Sequence, residues 1–259
     1  MPLRSMQHAT VIAQEELCPG IFSLWLAAPQ VAAEASAGQF VSLYSHSDSR
    51  MLPRPISLCE IDRENGSIRL VYRVAGAGTE DFSQMKAGDT IDVMGPLGNG
   101  FPLSVCKNDT RVLLIGGGIG IPPMLETAKA LEGRAAIAAG YRDTLFLQKE
   151  LEQAGRLAVA TEDGSAGARG TVLDAIRKNG IEADVIFACG PKPMLKAVRE
   201  YARQHGIACW LSLEERMACG IGACLACVTR TTETDEHSRV KNARICKEGP
   251  VFRAEDIEL

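Results

Sequence analysis

The chain has 259 residues, 46% hydrophobic and 23% charged, with a net charge of -4. That length suits two compact units, and the composition is that of a globular protein. The acidic balance and the lack of a basic cluster argue against a nucleic-acid partner.

Residues 1–103 read as short strands separated by turns: QFVSLYS, RPISLCEI, SIRLVYRV and DTIDVMGP. Asn65-Gly66 between two of these runs predicts a hairpin turn. Closely spaced strands of this kind predict an antiparallel β-barrel. Near Phe101-Pro102 the texture changes. The apolar runs RVLLIGG, RAAIAAGYR, RLAVATEDG and ADVIFACGP alternate with the helical patterns PPMLETAKALE, LFLQKELEQAG, GTVLDAIRKNG and PMLKAVREYARQHG. Such alternation predicts a parallel sheet wound by right-handed crossovers, here over residues 104–210. From Trp210 the periodicity fades, and residues 211–259 form a third, cysteine-bearing segment. Within it, TTETDEHSR (231–239) reads as a polar surface loop. VLLIGGGIGIPPML, the longest apolar run, is shorter than the ~20 residues of a spanning helix and is broken by Gly and Pro. No apolar signal core opens the chain. The expectation is a cytoplasmic protein without a membrane partner.

In a reducing compartment, the nine cysteines point to metal ligation rather than disulfides. Cys219, Cys224 and Cys227 have the spacing C-x4-C-x2-C, and Cys246 follows after 18 residues. This is the plant-type [2Fe–2S] spacing. Gly220 and Gly222 supply the backbone freedom that a loop needs to wrap a cluster and aim amides at sulfur. The alternative is structural zinc, which usually takes paired C-x2-C knuckles; only one such pair is present. Cys18, Cys59, Cys106 and Cys209 read as inert thiols. His8, His46, His205 and His237 lack metal spacing, and His237 reads as solvated.

A strand runs into Gly116-Gly117-Gly118-Ile119-Gly120, and Pro122-Pro123 then opens a helix. The glycines allow close approach to a phosphate, although the pattern departs from G-x-G-x-x-G, and a tight turn needs glycine anyway. Cys189-Gly190-Pro191 repeats the arrangement at a later strand end. Cys189 reads equally as a site residue or a small core residue. Arg54 is a candidate phosphate clamp and Ser57 a candidate donor to a planar ring. Gly76, Gly78 and Thr79 suggest a helix start with Thr79 as N-cap. An ordinary capped helix after a strand explains these residues nearly as well. Arg142 reads as a 2′-phosphate contact or as a solvated charge.

The order R-P-x-S, Gly-Thr helix start, GDTIDVMGPLGNGF, GGGIGIPP and CGP resembles the ferredoxin–NADP reductase superfamily across residues 1–210. RPIS, EERMACGIGACLACV and ICKEGPVF extend the resemblance over the whole chain, to the electron-transfer subunits of type B dihydroorotate dehydrogenases. The resemblance implies an FAD-binding barrel (1–103), an α/β domain for NAD (104–210) and a [2Fe–2S] segment (211–259). It implies FAD contacts at Arg54, Pro55, Ile56, Ser57, Val71, Tyr72, Arg73, Gly78 and Thr79. Nucleotide contacts are expected at Gly117, Gly118, Gly120, Cys189 and Gly190, and cluster ligation at Cys219, Cys224, Cys227 and Cys246. Many superfamily members have R-x-Y-S; Ile56 stands where their aromatic does, with Tyr72 a candidate replacement. The implied partner is an FMN-bearing catalytic subunit that oxidises dihydroorotate to orotate in pyrimidine biosynthesis, two copies of each forming a heterotetramer. The expected flow runs from that subunit through [2Fe–2S] and FAD to NAD+. The competing readings are a flavin/iron–sulfur subunit of a hydrogenase or ferredoxin:NADP oxidoreductase, and a regulatory protein with a metal knuckle. Met217, Ile221 and Leu225 read either as apolar partner contacts or as packing for the cluster loop.

Overall fold

The structure, a computed structural model, describes residues 5–45, 51–234 and 239–259. His46 and His237 lie outside the described residues.

β1 (Ser5–Cys18), β2 (Ile21–Ala27), β3 (Phe40–Tyr44), β4 (Arg54–Asp62), β5 (Ser67–Arg73) and β6 (Thr90–Leu97) close into an antiparallel barrel in the order β1-β2-β5-β4-β3-β6. The short helices α1 (Pro29–Glu34) and α2 (Ala77–Ser83) cover its connections. Gly66 makes the hairpin turn between β4 and β5 with φ 64°. Strand alternation builds the barrel core: Val41 and Leu43 of β3 point in with Leu24, Leu26, Leu70 and Tyr72, while Phe40 packs in a second core facing the sheet. Neither β1 nor β2 stood out in the sequence; Gln14, Glu15 and Glu16 dilute the apolar signal of β1.

The second unit runs β7 (Val112–Gly117), α3 (Pro122–Ala130), β8 (Ala135–Tyr141), α4 (Gln148–Ala154), β9 (Arg156–Thr161), β10 (Ala168–Arg169), α5 (Val172–Lys178), β11 (Val185–Cys189), α6 (Lys192–His205) and β12 (Ala208–Ser212). All four predicted helices and four predicted strands are present. The sheet order β10-β9-β8-β7-β11-β12 is parallel throughout. Chain direction across the sheet reverses between β7 and β11, and such a switch point is where open α/β sheets bind ligands. The cysteine segment contributes β13 (Val228–Thr231), β14 (Asn242–Arg244), β15 (Val251–Arg253) and β16 (Ile257–Glu258). β15 adds to β12 as an antiparallel edge strand, and β14-β13-β16 form a separate small sheet.

Barrel and sheet meet at α3 and β4. The Ile61 amide donates to Glu126 at 2.9 Å, and Lys129 of the same helix pairs with Glu60. Arg69 bonds Ser23 at 2.8 Å and Glu60 at 2.7 Å. Burial pushes the Glu126 carboxyl up to about 7, against the pull of the Ile61 amide, Arg63 and Lys129. A carboxyl whose folded pKa is raised from 4.5 to about 7 stabilises the fold most below 4.5. That contribution is lost as pH climbs through 7, a change on the order of 3 kcal/mol. Glu126→Gln, which still accepts from Ile61, is therefore expected to melt several degrees above the parent at pH 8.5 and level with it near pH 4.5. Thermal unfolding monitored by circular dichroism across this range checks the crossover.

Candidate flavin cleft and cysteine loop

A cleft of about 580 Å³ opens between the barrel and the segment that follows β12. Arg54, Pro55, Ile56 and Ser57 of β4, Val71, Tyr72 and Arg73 of β5, and Thr79 of α2 form its barrel wall. Eight of the nine residues named for flavin contact thus border one cleft; the ninth, Gly78, touches its edge. A Cβ on Gly78 would sit 2.6 Å from Arg54 Nε, so only glycine lets the guanidinium lie across the start of α2. Arg54 Nη1 donates to the Leu52 carbonyl at 2.5 Å, which anchors the guanidinium at the border of the cleft.

The structure corrects one expectation here. The N-cap of α2 is Gly76, and Thr79 is at N3. Gly76 has no side chain to cap with, so the Thr79 hydroxyl reaches back and accepts the amides of Ala75 (2.9 Å) and Gly76 (3.2 Å). Tyr72 borders the cleft, but its ring lies in the barrel core. It stacks near Phe22, meets Phe82 edge-on, and bonds Gln14 through its hydroxyl at 3.1 Å. It does not present an aromatic face in place of Ile56.

The opposite wall was missed by the sequence reading: Ser212, Leu213, Glu214, Glu215, Arg216, Met217 and Pro250, with Phe40 and Ile119 at the ends. One signal was available, since these residues follow the last parallel strand, where open sheets place ligands. Glu214 is open to solvent at its edge, yet crowding raises its carboxyl pKa and Arg73 pulls it partly back.

The glycine-rich turn sits at the switch point between β7 and β11. A Cβ on Gly120 would stand 2.4 Å from the Cys189 carbonyl oxygen and 2.6 Å from the Gly190 amide nitrogen. Gly117 is pressed by Met194 in the same way, and Gly118 turns at φ 53° with Arg73 as its neighbour. The two strand ends named for a nucleotide therefore form one contiguous floor. Cys189 is 1% exposed, and burial pushes its thiol far up, so it is a packed thiol under that floor. Cys59, Cys106 and Cys209 are buried and Cys18 half-buried, each thiol raised by burial.

In the cysteine loop, Gly220 and Gly222 turn at φ 67° and 85°, as the wrapping demands, and Leu225 adopts φ 60°. The Ala223 and Cys224 amides donate to Cys219 Sγ at 3.3 and 3.4 Å. Burial opposes ionisation of Cys219, but amides from Ile221, Cys224 and Ala223 outweigh it and bring the thiol to about 6. The Cys246 amide donates to Cys227 Sγ at 3.4 Å. Burial and then Cys227 push Cys246 up to about 12. Arg244 bonds the Gly222 carbonyl at 3.0 Å and pairs with Glu248, fixing the loop and placing a cation near the sulfurs.

Side-chain contacts bring the sulfurs together as Cys219 with Cys224 and Cys227 with Cys246. Among the described residues no three His, Cys, Asp or Glu side chains converge on one ion-sized point. Two pairs of cysteine sulfurs with amides aimed at them fit a two-iron centre better than one tetrahedral zinc. Met217 is 9% exposed and packs inward, whereas Ile221 (42%) and Leu225 (60%) are exposed beside the exposed Cys224.

The comparisons agree with this layout. Residues 8–101 match the family described as oxidoreductase FAD-binding domain. Residues 214–258 match the iron-sulfur cluster binding domain of dihydroorotate dehydrogenase B. The dihydroorotate dehydrogenase B (NAD(+)) electron transfer subunit of Streptococcus pneumoniae (strain ATCC BAA-255 / R6) is 44% identical, with 98% of this chain and 99% of the relative covered. Its counterpart from Geobacillus sp. (strain WCH70) is 40% identical over 99% of this chain and 100% of that one. A chain from an NADH-dependent reduced ferredoxin-NADP oxidoreductase structure superposes with TM-score 0.85 at 33% identity, covering 96% of this chain and 89% of that one. A Neisseria gonorrhoeae ferredoxin NADP+ reductase solved with FAD and NADP shares the fold at TM-score 0.62 and 18% identity, covering 78% of this chain and 92% of that one. With a flavin-type cleft, a four-cysteine loop and relatives matched over almost their full length, the chain belongs to the family of dihydroorotate dehydrogenase B electron transfer subunits.

Proposed function

We propose that this chain is a flavin and iron–sulfur subunit that carries electrons between a catalytic partner and NAD+. A nicotinamide exchanges a hydride, a [2Fe–2S] centre passes single electrons, and FAD handles both, which places FAD between them. One observation carries the reading: the segment bearing the four cysteines leaves and rejoins the cleft wall, at Met217 and at Pro250. The cluster loop is therefore built out of the flavin cleft itself.

In this account Arg54 clamps the FAD pyrophosphate across Gly78, and Pro55, Ile56 and Ser57 with Val71, Tyr72, Arg73 and Thr79 line the flavin. Gly117, Gly118, Gly120 and Gly190, with Cys189 packed beneath them, form the floor for NAD. Cys219, Cys224, Cys227 and Cys246 hold the cluster. The units 1–103, 104–210 and 211–259 take flavin, nucleotide and cluster respectively. The partner is an FMN-containing subunit oxidising dihydroorotate, assembled as two of each chain in the cytoplasm. No helix of the described residues is long and apolar enough to cross a membrane. A second reading, a subunit of a ferredoxin:NADP oxidoreductase complex, is favoured by the likeness at 33% identity; the relatives at 40–44% favour the first.

Three outcomes follow. Losing the Arg54 charge-assisted bond, about 1.5–3 kcal/mol, weakens FAD binding roughly tenfold to a hundredfold in Arg54→Ala. Lys at that position restores only part, since it cannot fork; equilibrium flavin titration of the apoprotein measures both. Cys224→Ala, at an exposed position, loses iron and acid-labile sulfide while keeping FAD, and stoichiometric zinc in anaerobically prepared parent protein would contradict the cluster. Alone, the chain oxidises NADH with an artificial acceptor but does not reduce NAD+ with dihydroorotate. Adding the FMN subunit creates that second activity, and Cys224→Ala abolishes it while NADH-to-dye turnover persists. Coupling that survives without the cluster refutes the path, and productive pairing with a ferredoxin:NADP partner instead supports the second reading.

A further inference from the structure

Strand β3 separates the two redox sites. Val41 and Leu43 point into the barrel core, so Phe40 and Ser42 share the outward face. Phe40 borders the flavin cleft, and Ser42 pairs across the ladder with Pro55, also on the cleft. On its other flank Ser42 meets the cysteine loop. A Cβ on Gly220, the residue after Cys219, would stand 3.1 Å from Ser42 Oγ, 3.3 Å from Leu97 Cδ1 and 3.4 Å from Met94 Cε. Ser42 is therefore pressed between flavin strand and cluster loop.

Ser42 is 0% exposed, and among the described residues its hydroxyl has no hydrogen-bond partner, protein sulfur included. A buried hydroxyl without an acceptor is uncommon and calls for a reason. The amides of Ala223, Cys224 and Cys246 are already committed to Cys219 and Cys227. Assembly of a [2Fe–2S] centre in this loop would bring a new class of acceptor, the inorganic sulfides.

We propose that the Ser42 hydroxyl, supplied by the flavin barrel, donates a hydrogen bond to an inorganic sulfide of the cluster and raises its reduction potential. This rests on the reading of the four cysteines as [2Fe–2S] ligands. A donor at sulfur withdraws electron density and favours the reduced state, which carries one more negative charge. Ser42 is then a positioning residue that sets the driving force between cluster and flavin from the flavin's side of the boundary.

The test compares Ser42→Ala and Ser42→Thr with the parent in full-length protein. The readouts are iron and sulfide content, the cluster potential by spectroelectrochemistry, and pulsed EPR of the reduced protein in deuterium oxide. Ser42→Ala is expected to retain iron, sulfide and FAD, to shift the potential in the negative direction, and to lose one exchangeable coupling. Ser42→Thr, which keeps the hydroxyl, is expected to restore both signatures. An unchanged potential and coupling in Ser42→Ala, as a water-capped hydroxyl would give, overturns the proposal, and so does loss of iron from that variant. Absence of a [2Fe–2S] signal from the parent protein would instead overturn the cluster reading on which it rests.

Discussion

The attachment of the C-terminal segment to both preceding units of the fold is the constraint on which the rest depends. β15 pairs with β12 through Trp210–Arg253, Leu211–Phe252 and Ser212–Val251. Beside it, Asn99 at the barrel's end donates its amide to the Gly249 carbonyl at 2.7 Å and its side chain to the Lys247 and Glu248 carbonyls at 3.1 and 2.8 Å. Gly98 makes this approach possible, since a Cβ there would stand 2.4 Å from Pro250 Cδ. Main-chain bonds of this kind hold register better than side-chain contacts, because neither end can rotate away. They fix Cys246 three residues before Gly249, and so fix the loop against the cleft.

Given that attachment, the electrostatics follow. A cluster held by four thiolates and bridging sulfides concentrates negative charge, and the loop answers it with amides at Cys219 and Cys227 and with Arg244 behind them. Cys227 and Cys246 are buried while Cys224 is exposed, so the site has a protected side and an open side toward solvent. Ile221 and Leu225 stand on the open side. Single-electron transfer falls steeply with distance, so a carrier working between a flavin in the same chain and a donor in another needs this two-sided placement. Hydride transfer needs contact instead, which suits the glycine-rich turn at Gly117–Gly120, proposed above for the nucleotide, meeting the cleft through Arg73 and Ile119.

Much of this was legible in the sequence, for identifiable reasons. The α/β unit is made largely of strands buried on both faces and of helices with strong periodicity, so its four helices and four of its six parallel strands were found, with ends off by up to three residues. The cysteine spacing is local and needs no knowledge of tertiary structure. β1 escaped because its solvent side carries Gln14, Glu15 and Glu16, and β12 because it ends where the cysteine segment begins. The far wall of the cleft, residues 212–217, carried only the signal of its place after the last parallel strand; the rest needs β15 folded back on β12, where the Leu213 amide donates to the Pro250 carbonyl at 2.9 Å. Tyr72 shows the converse limit. Its position in the strand was right, but pleating turns its ring into the core.

The central claim is that flavin and cluster in this one chain exchange electrons. The most direct test mixes the anaerobic oxidised protein with excess NADH in stopped flow, following flavin absorbance with freeze-quenched EPR for the cluster. Each hydride brings two electrons to the flavin, and the account predicts that one of them passes on, so that the reduced-cluster signal grows in while NADH is consumed. A flavin that is fully reduced by NADH while the cluster stays oxidised would contradict it.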